Sequence, residues 1–183
     1  MKVYLDTGVF IDYLISRGHT GHFLRKKGRR KRSIQDLTND ALECFNKIKD
    51  SHEGFTSSLT LYEAEESMYQ ELCKSSIGIE NRRFFLVTSS RPLIIQIMVI
   101  VNLYNLKILD LTEDIIIKSV QEIKLQLKGI RAADSLHILT AINHNAEVII
   151  STDGDLIKLD EEFKNKDGVK IKCMDTDVAK SYL

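Results

Sequence analysis

Four acidic residues that lie far apart along the chain are candidates for one metal-binding site. They are Asp6, Glu63, Asp134 and Asp153. Carboxylates repel one another, so a cluster of them at neutral pH is tolerated only if a cation lies among them or some of them stay protonated. Oxygen ligands suit a hard cation, and the residue types therefore predict binding of Mg²⁺ or Mn²⁺ rather than zinc.

A hard divalent ion held by carboxylates is suited to phosphodiester cleavage. It stabilises the attacking and leaving oxygens and lowers the pKa of bound water. The residues required by competing chemistries are missing, since no GxGxxG follows a predicted strand and the chain has no GxxxxGK[ST] or GxSxG. A haloacid dehalogenase phosphatase would need a second aspartate two residues after Asp6, where this chain has Gly8. The pattern favours hydrolytic phosphoryl transfer.

Strand and helix patterns alternate along the chain and predict how these acids are positioned. Strands are predicted at 2–5, 54–59, 107–111, 147–151 and 169–173, and helices at 35–50, from 60 onward, and at 93–106, 112–129 and 132–144. This order predicts an α/β fold, a three-layer α/β/α sandwich around a mostly parallel sheet of about five strands. Ligands bind at the carboxyl ends of such strands, where Asp6 and Asp153 fall.

The composition suits one domain that covers the whole chain. The 183 residues carry 26 Lys and Arg against 26 Asp and Glu, with 43% hydrophobic residues and one proline, which excludes a disordered or low-complexity chain. Cys44, Cys73 and Cys173 lack zinc-site spacing and are expected to be reduced thiols of a cytoplasmic protein. The apolar run Leu93–Val101 is about half the roughly 20 residues that a membrane span needs, so no membrane role is expected.

A basic insertion occupies residues 17–32. It holds eight Lys and Arg residues and no acid. Charge runs are often solvated loops without a partner, but here the like charges repel one another strongly, which favours a polyanion as counterpart. We therefore predict RNA contact by Arg25, Lys26, Lys27, Arg29, Arg30, Lys31 and Arg32.

Four motifs together resemble the PIN-domain ribonucleases, which include the toxins of VapBC-type toxin–antitoxin pairs. The motifs are VYLDTGVFIDYL, SSLTLYEAE, AADSLHILTA and VIISTDGDL, each around one of the four acids. The resemblance implies a PIN-like fold in which these acids bind Mg²⁺ or Mn²⁺ and support cleavage of single-stranded RNA. It further implies that Thr152 helps to position water or phosphate, with Asp155 as an outer contributor. A homodimer and a small antitoxin are the partners it implies.

Each acid also has a structural interpretation, because Asp and Glu are common at helix N-termini. Asp6 could cap the first helix, and Glu63 could complete a capping box with Thr60. His137 lies one turn after Asp134 and is predicted to be a packed, hydrogen-bonded side chain outside the site. The alternative function is accordingly a non-catalytic RNA-binding or scaffold domain that keeps the PIN-like fold.

Overall fold

The computed structural model describes residues 1–16, Leu24 and residues 27–183, so the predicted RNA contacts Arg25 and Lys26 lie outside the described residues. The strands are β1 (Lys2–Leu5), β2 (Glu53–Ser57), β3 (Lys107–Leu109), β4 (Val148–Ile150) and β5 (Lys172–Met174). The helices are α1 (Thr7–Leu14), α2 (Ile34–Ser51), α3 (Ser58–Ser75), α4 (Arg82–Ser90), α5 (Pro92–Leu103), α6 (Glu113–Gln121), α7 (Ile123–Leu127), α8 (Ala132–Asn143), α9 (Gly154–Ile157) and α10 (Thr176–Tyr182).

The strands form one sheet in the order β3-β2-β1-β4-β5, and every pairing is parallel. Tyr4 in the central strand pairs with Phe55 on one side and with Ile149 on the other. The chain builds β2 and β3 on one side of β1 and then returns to place β4 on the opposite side. The strand order therefore reverses between β1 and β4, which is where open parallel sheets bind their ligands.

Side chains that alternate along β1 separate two hydrophobic cores. Val3 and Leu5 pack into one core with α1, α2, α3 and α5, whereas Tyr4 packs into the other with α6, α8 and α9. Burial of apolar surface on both faces of a parallel sheet is what makes its strands read as short, continuous hydrophobic runs. The three-layer α/β/α sandwich predicted from the sequence is confirmed.

The helix predicted over 112–129 is divided in two. Thr112 caps α6, but Glu122 leaves the helical conformation and its side chain accepts a hydrogen bond from the backbone of Lys124 at the start of α7. Ile115 and Leu125 enter the core. The other large apolar side chains of this segment are exposed: Ile116, Ile117, Val120, Ile123 and Leu127.

The segment Arg82–Leu103, which covers α4 and α5, is apolar and partly exposed. By length and composition alone it could cross a membrane, since an 18-residue window within it has a mean hydropathy of 1.9, although helices in the core of soluble proteins meet the same criterion. Leu86, Leu93 and Ile97 are buried in the first core, and Pro92 begins α5. The expectation that the chain has no membrane role stays a prediction.

Candidate functional site

The carboxyl ends of β1, β2 and β4 bring distant parts of the chain to one edge of the sheet. An open cleft of about 500 Å³ lies there, and all four predicted acids line it. Its lining includes Asp6, Glu63, Asp134 and Asp153, together with Thr152 and Arg131. The cleft is where the strand order reverses, so the sheet topology and the chemistry of the residues point to the same place.

Asp6 is held at the centre of this edge and is only 7% exposed. It precedes α1 in extended conformation but makes no side-chain capping hydrogen bond, so the capping interpretation of Asp6 is wrong. Its Oδ2 instead accepts a hydrogen bond from the Ser151 hydroxyl at 2.6 Å. The carboxylate is thereby aimed into the cleft, with its second oxygen available there.

Glu63 projects from the second turn of α3 and is held by two side chains. It accepts hydrogen bonds from the Thr7 hydroxyl and from His137 Nε2, the latter at 2.8 Å. Burial raises its pKa, but the hydrogen bond and charge of His137 outweigh that effect and leave the pKa below its ordinary value. The N-cap of α3 is Ser57, and Thr60 lies inside the helix, so the capping-box interpretation of Glu63 is wrong.

His137 is a packed, hydrogen-bonded side chain, as predicted, but it contacts two acids of the site instead of lying apart from them. Its Nδ1 lies 2.7 Å from the Tyr4 hydroxyl, and its Nε2 faces both Glu63 and, at 3.5 Å, Asp6. Burial lowers the pKa of His137, but the Glu63 hydrogen bond and the charge of Asp6 outweigh it and raise the pKa above its ordinary value. The signal was present in the sequence, because residues three apart share a helix face and Asp134 precedes His137 by three.

Asp134 and Asp153 face each other across the mouth of the cleft. Burial, followed by the charges of Asp153 and Asp6, raises the pKa of Asp134 to about 6. Asp153 also caps α9, since its side chain accepts a hydrogen bond from the backbone of Asp155 at the start of that helix. Arg131 lies between these two acids, 3.5 Å from Asp134 and 3.6 Å from Asp153.

The raised pKa of Asp134 predicts a pH-dependent affinity for a divalent cation. A carboxyl that titrates near 6 must lose its proton to bind a cation, so we expect Mn²⁺ affinity to rise about tenfold between about pH 5 and pH 7, with proton release. Because burial disfavours the charged form, the metal-free protein should also lose stability as pH rises from the unfolded pKa of about 4 to the folded pKa of about 6. Calorimetry in two buffers of different ionisation enthalpy measures the affinity and the protons released.

The matched variant for this measurement is Asp134→Asn, which keeps the shape of the side chain and cannot titrate. It should bind Mn²⁺ more weakly, and the tenfold dependence on pH should disappear. An unchanged pH dependence in Asp134→Asn would show that another group in the cleft is the one that titrates.

Thr152 fixes the loop after β4 against the first helix. A Cβ on Gly8 would lie 1.9 Å from the Thr152 hydroxyl, so only glycine at position 8 permits this approach. The contact holds Asp153 beside Asp6. Asp155, the predicted outer contributor, does not line the cleft; its side chain binds Lys158 at 2.8 Å, and only its backbone N–H contacts Asp153.

The basic insertion contributes a tight turn, which we call the basic turn (residues 29–32). Arg32 N donates to Arg29 O at 2.9 Å, and the two central residues, Arg30 and Lys31, have positive φ angles of 48° and 64°. Such turns favour glycine or asparagine, because the left-handed conformation is strained for other residues. The turn is therefore held in place by contacts outside itself.

Those contacts are buried carboxylates outside the turn, of which Asp175 is the most remote in sequence. Asp175, before α10, accepts hydrogen bonds from Arg29, Arg30 and Arg32. Arg29 also binds Asp12, and Arg32 binds Asp40. Buried acids need counter-charges, which is the physical reason that these arginines face inward.

This arrangement divides the predicted RNA contacts into two groups. Arg29 and Arg32 are 13% and 12% exposed and are engaged by acids within the protein. Lys27, Arg30 and Lys31 are exposed, and a guanidinium nitrogen of Arg30 lies 3.3 Å from the position a Cβ would take on Gly154, next to the acid cleft.

The donor set at the centre of the cleft fits a divalent cation. Asp6, Glu63 and His137 each offer a ligand atom, and these atoms lie within 4.8 Å of one another. Carboxylate oxygens are the preferred ligands of Mg²⁺ and Mn²⁺, and with one imidazole nitrogen the set remains suitable for Mn²⁺. Since Nε2 of His137 already donates to Glu63, the carboxylates are the groups in position to hold the ion.

Comparison with known proteins agrees with this geometry. Residues 3–162 match the PIN domain family, a range that contains all four acids of the cleft. No curated protein sequence matches the chain. Among solved structures, the fold is similar to a chain in the crystal structure of VapBC2 from Rickettsia felis bound to a DNA fragment from their promoter. The TM-score is 0.53 at 16% identity, over 96% of this chain and 98% of that one.

Proposed function

Because this chain belongs to the PIN-domain family, we propose that it is an endoribonuclease that hydrolyses single-stranded RNA with Mg²⁺ or Mn²⁺. The observation that carries the proposal is the convergence of Asp6, Glu63, Asp134 and Asp153 in one cleft. No shared secondary-structure element requires these residues to meet. Asp153 caps α9 and Asp134 lies in the first turn of α8, but these local roles do not explain why four acids line one cleft, whereas a bound cation does.

Each side chain has a defined part in this reaction. The ion would activate water and offset the charge of the scissile phosphate. Asp6 and Glu63 would hold the ion, with Ser151 orienting Asp6 and His137 orienting Glu63. Asp134 and Asp153, which line the same cleft, would complete its acidic surroundings.

The test is cleavage of a panel of single-stranded RNAs by the full chain, with Mn²⁺ or Mg²⁺ added and with excess EDTA. We expect multiple turnovers that EDTA abolishes. The alternative, a non-catalytic RNA-binding or scaffold domain, predicts retention of RNA without turnover and without a metal requirement. Binding without cleavage under both metals would reject the nuclease in favour of that alternative.

We further propose that the protein is the cytoplasmic toxin of a toxin–antitoxin pair, inhibited by a small antitoxin. The similarity of its fold to a chain of VapBC2 supports this role. Expression of the chain alone should arrest growth of a bacterial host, and co-expression with the small gene adjacent to its own should restore it. Normal growth with the chain alone, at confirmed protein levels, argues against the toxin.

A homodimer is the assembly we propose, with the exposed side of α5 as its interface. Apolar side chains there face solvent in the single chain: Ile95, Met98, Val99 and Leu103. Burying such residues against a second copy removes apolar surface from water. Analytical ultracentrifugation of the wild type and of Val99→Lys measures the oligomeric state. A monomeric wild type would reject the dimer.

The exposed residues of the basic insertion are proposed to bind RNA. Substitution of Lys27, Arg30 and Lys31 by glutamine should reduce the slope of log K against log salt for single-stranded RNA by about 2, since each phosphate contact contributes about 0.7. A matched triple substitution on another exposed surface should change the slope less. The control positions are Lys164, Lys166 and Lys170. Equal slopes for the two triple variants would show that Lys27, Arg30 and Lys31 do not contact the RNA.

A further inference from the structure

Arg131 is a cation at the mouth of the acid cleft that the proposed metal site does not use. It precedes α8 in extended conformation, and its side chain is 77% exposed. Its Nε lies 3.5 Å from Asp134 and its Nη2 lies 3.6 Å from Asp153. Among the described residues that line the cleft, no other is basic.

The ion pairs of Arg131 contribute little to protein stability and therefore do not explain its position. Both distances exceed ordinary N–H···O hydrogen-bond lengths, and an exposed ion pair contributes about 0–1 kcal/mol. A capping role is also excluded, since an arginine side chain has no acceptor for the free backbone N–H groups of α8. The guanidinium therefore keeps its donors available at the opening of the cleft.

A phosphodiester that approaches the cleft meets a concentration of negative charge. Once a cation offsets the inner acids, Arg131 is the basic side chain in the described lining of the cleft, and a guanidinium pairs with phosphate oxygens through two hydrogen bonds. We infer that Arg131 binds a backbone phosphate of the RNA and positions it over Asp134 and Asp153. This inference rests on the proposed function.

The position of Arg131 predicts opposite effects on two ligands. Its charge attracts RNA but opposes a metal ion, because it competes for the carboxylates of Asp134 and Asp153 and repels a second cation. Arg131→Gln should therefore weaken RNA binding while metal affinity stays equal to the wild type or increases. A residue that merely maintained the shape of the cleft would reduce both affinities.

The experiment measures RNA binding separately from cleavage. Fluorescence anisotropy with a single-stranded oligoribonucleotide compares Asp6→Asn with the double variant Asp6→Asn/Arg131→Gln over a range of salt. We expect about fivefold weaker binding and a slope reduced by about 0.7 for the double variant. Arg131→Lys in the same background should recover part of the affinity. Calorimetry with Mn²⁺ alone compares Arg131→Gln with the wild type.

Arg91→Gln is the matched control. Arg91 is 72% exposed and lies 3.6 Å from Glu65, so it resembles Arg131 in exposure and pairing but does not line the cleft. RNA affinity and slope equal to those of the Arg91→Gln control would overturn the inference, as would weaker Mn²⁺ binding by Arg131→Gln. Weaker RNA binding with Mn²⁺ affinity equal to or above the wild type supports it.

The same measurements separate this inference from the proposed function. If the wild type cleaves no RNA and Asp6→Asn binds none, the proposed substrate class is rejected and the role of Arg131 falls with it. If RNA is bound and cleaved by the wild type but Arg131→Gln leaves binding unchanged, the nuclease stands and only the role of Arg131 is rejected.

Discussion

Asp6→Asn is expected to lower the rate of RNA cleavage by about 10²–10³-fold at saturating RNA and Mn²⁺, the magnitude associated with loss of one directed electrostatic contact in an active site. Asparagine keeps the shape of the side chain and can still accept the hydrogen bond from Ser151, so the change removes charge rather than structure. The carboxylate is almost completely buried at the centre of the cleft, where solvent compensates least for its loss. Single-turnover kinetics with labelled RNA measures the rate of the chemical step.

The control for Asp6→Asn is Asp114→Asn, which removes an exposed acid that pairs with Lys118 on α6. Its cleavage rate should equal that of the wild type. Urea unfolding of Asp6→Asn should show stability no lower than the wild type without metal, because one of several mutually repelling acids is gone. Retention of more than about a tenth of the wild-type rate would mean that Asp6 is not a ligand of the catalytic ion.

Asp175→Asn is expected to reduce the free energy of unfolding by about 3–5 kcal/mol, the cost of breaking a buried ion pair from one side. Asp175 is 5% exposed and accepts hydrogen bonds from three arginines of the basic turn. Asparagine leaves Arg29 and Arg32 largely buried, with Asp12, Asp40 and the exposed Asp177 as their remaining counter-charges. Urea unfolding followed by circular dichroism measures the difference.

The same cluster predicts a loss of stability in acid. Burial raises the pKa of Asp175, but the hydrogen bonds from Arg29 and Arg32 outweigh it and hold the pKa well below its usual range. A carboxyl with a depressed pKa stabilises the folded state above the unfolded pKa of about 4, and this contribution is lost as pH falls below that value. Asp175→Asn should therefore lose less stability than the wild type when the pH is lowered below about 4.

Asp177→Asn is the control for Asp175→Asn. Asp177 is 44% exposed and lies 3.7 Å from Arg32, so its removal should cost less than about 1 kcal/mol. A loss of less than about 1 kcal/mol for Asp175→Asn as well would show that the arginines find water or other acids, and that Asp175 does not anchor the basic turn.

The sequence alone predicted the layers and the edge at which the acids meet. The central strands β1 and β4 are short, largely buried apolar runs, and strand runs alternate with helical periodicity, which is a local property of the chain. The position of an acid just after a strand, as for Asp6 and Asp153, then suffices to place it at the carboxyl edge. The prediction for β5 was displaced by a few residues because Val169 and its neighbours lie in a loop before Lys172.

Sequence reasoning failed where the partner of a residue is remote along the chain. The insertion looked unpaired because it contains no acid, yet Arg29 and Arg32 meet Asp12, Asp40 and Asp175 in the fold. His137 looked like an ordinary core residue, and only the approach of α8 to β1 and α3 places it between Tyr4 and Glu63.

The sequence by itself determined which chemical groups are available and at which edge of the sheet the four acids lie. Both depend on short-range periodicity and on strand ends, which are set by residues that are close together in the sequence. Tertiary structure decided which charges face the cleft and which are neutralised inside the protein. Burial makes an unpaired charge costly, so the buried acids Asp12, Asp40 and Asp175 are paired with arginines that the fold brings close to them. Arg29 and Arg32 therefore face inward, whereas Arg131 stays exposed at the entrance of the cleft.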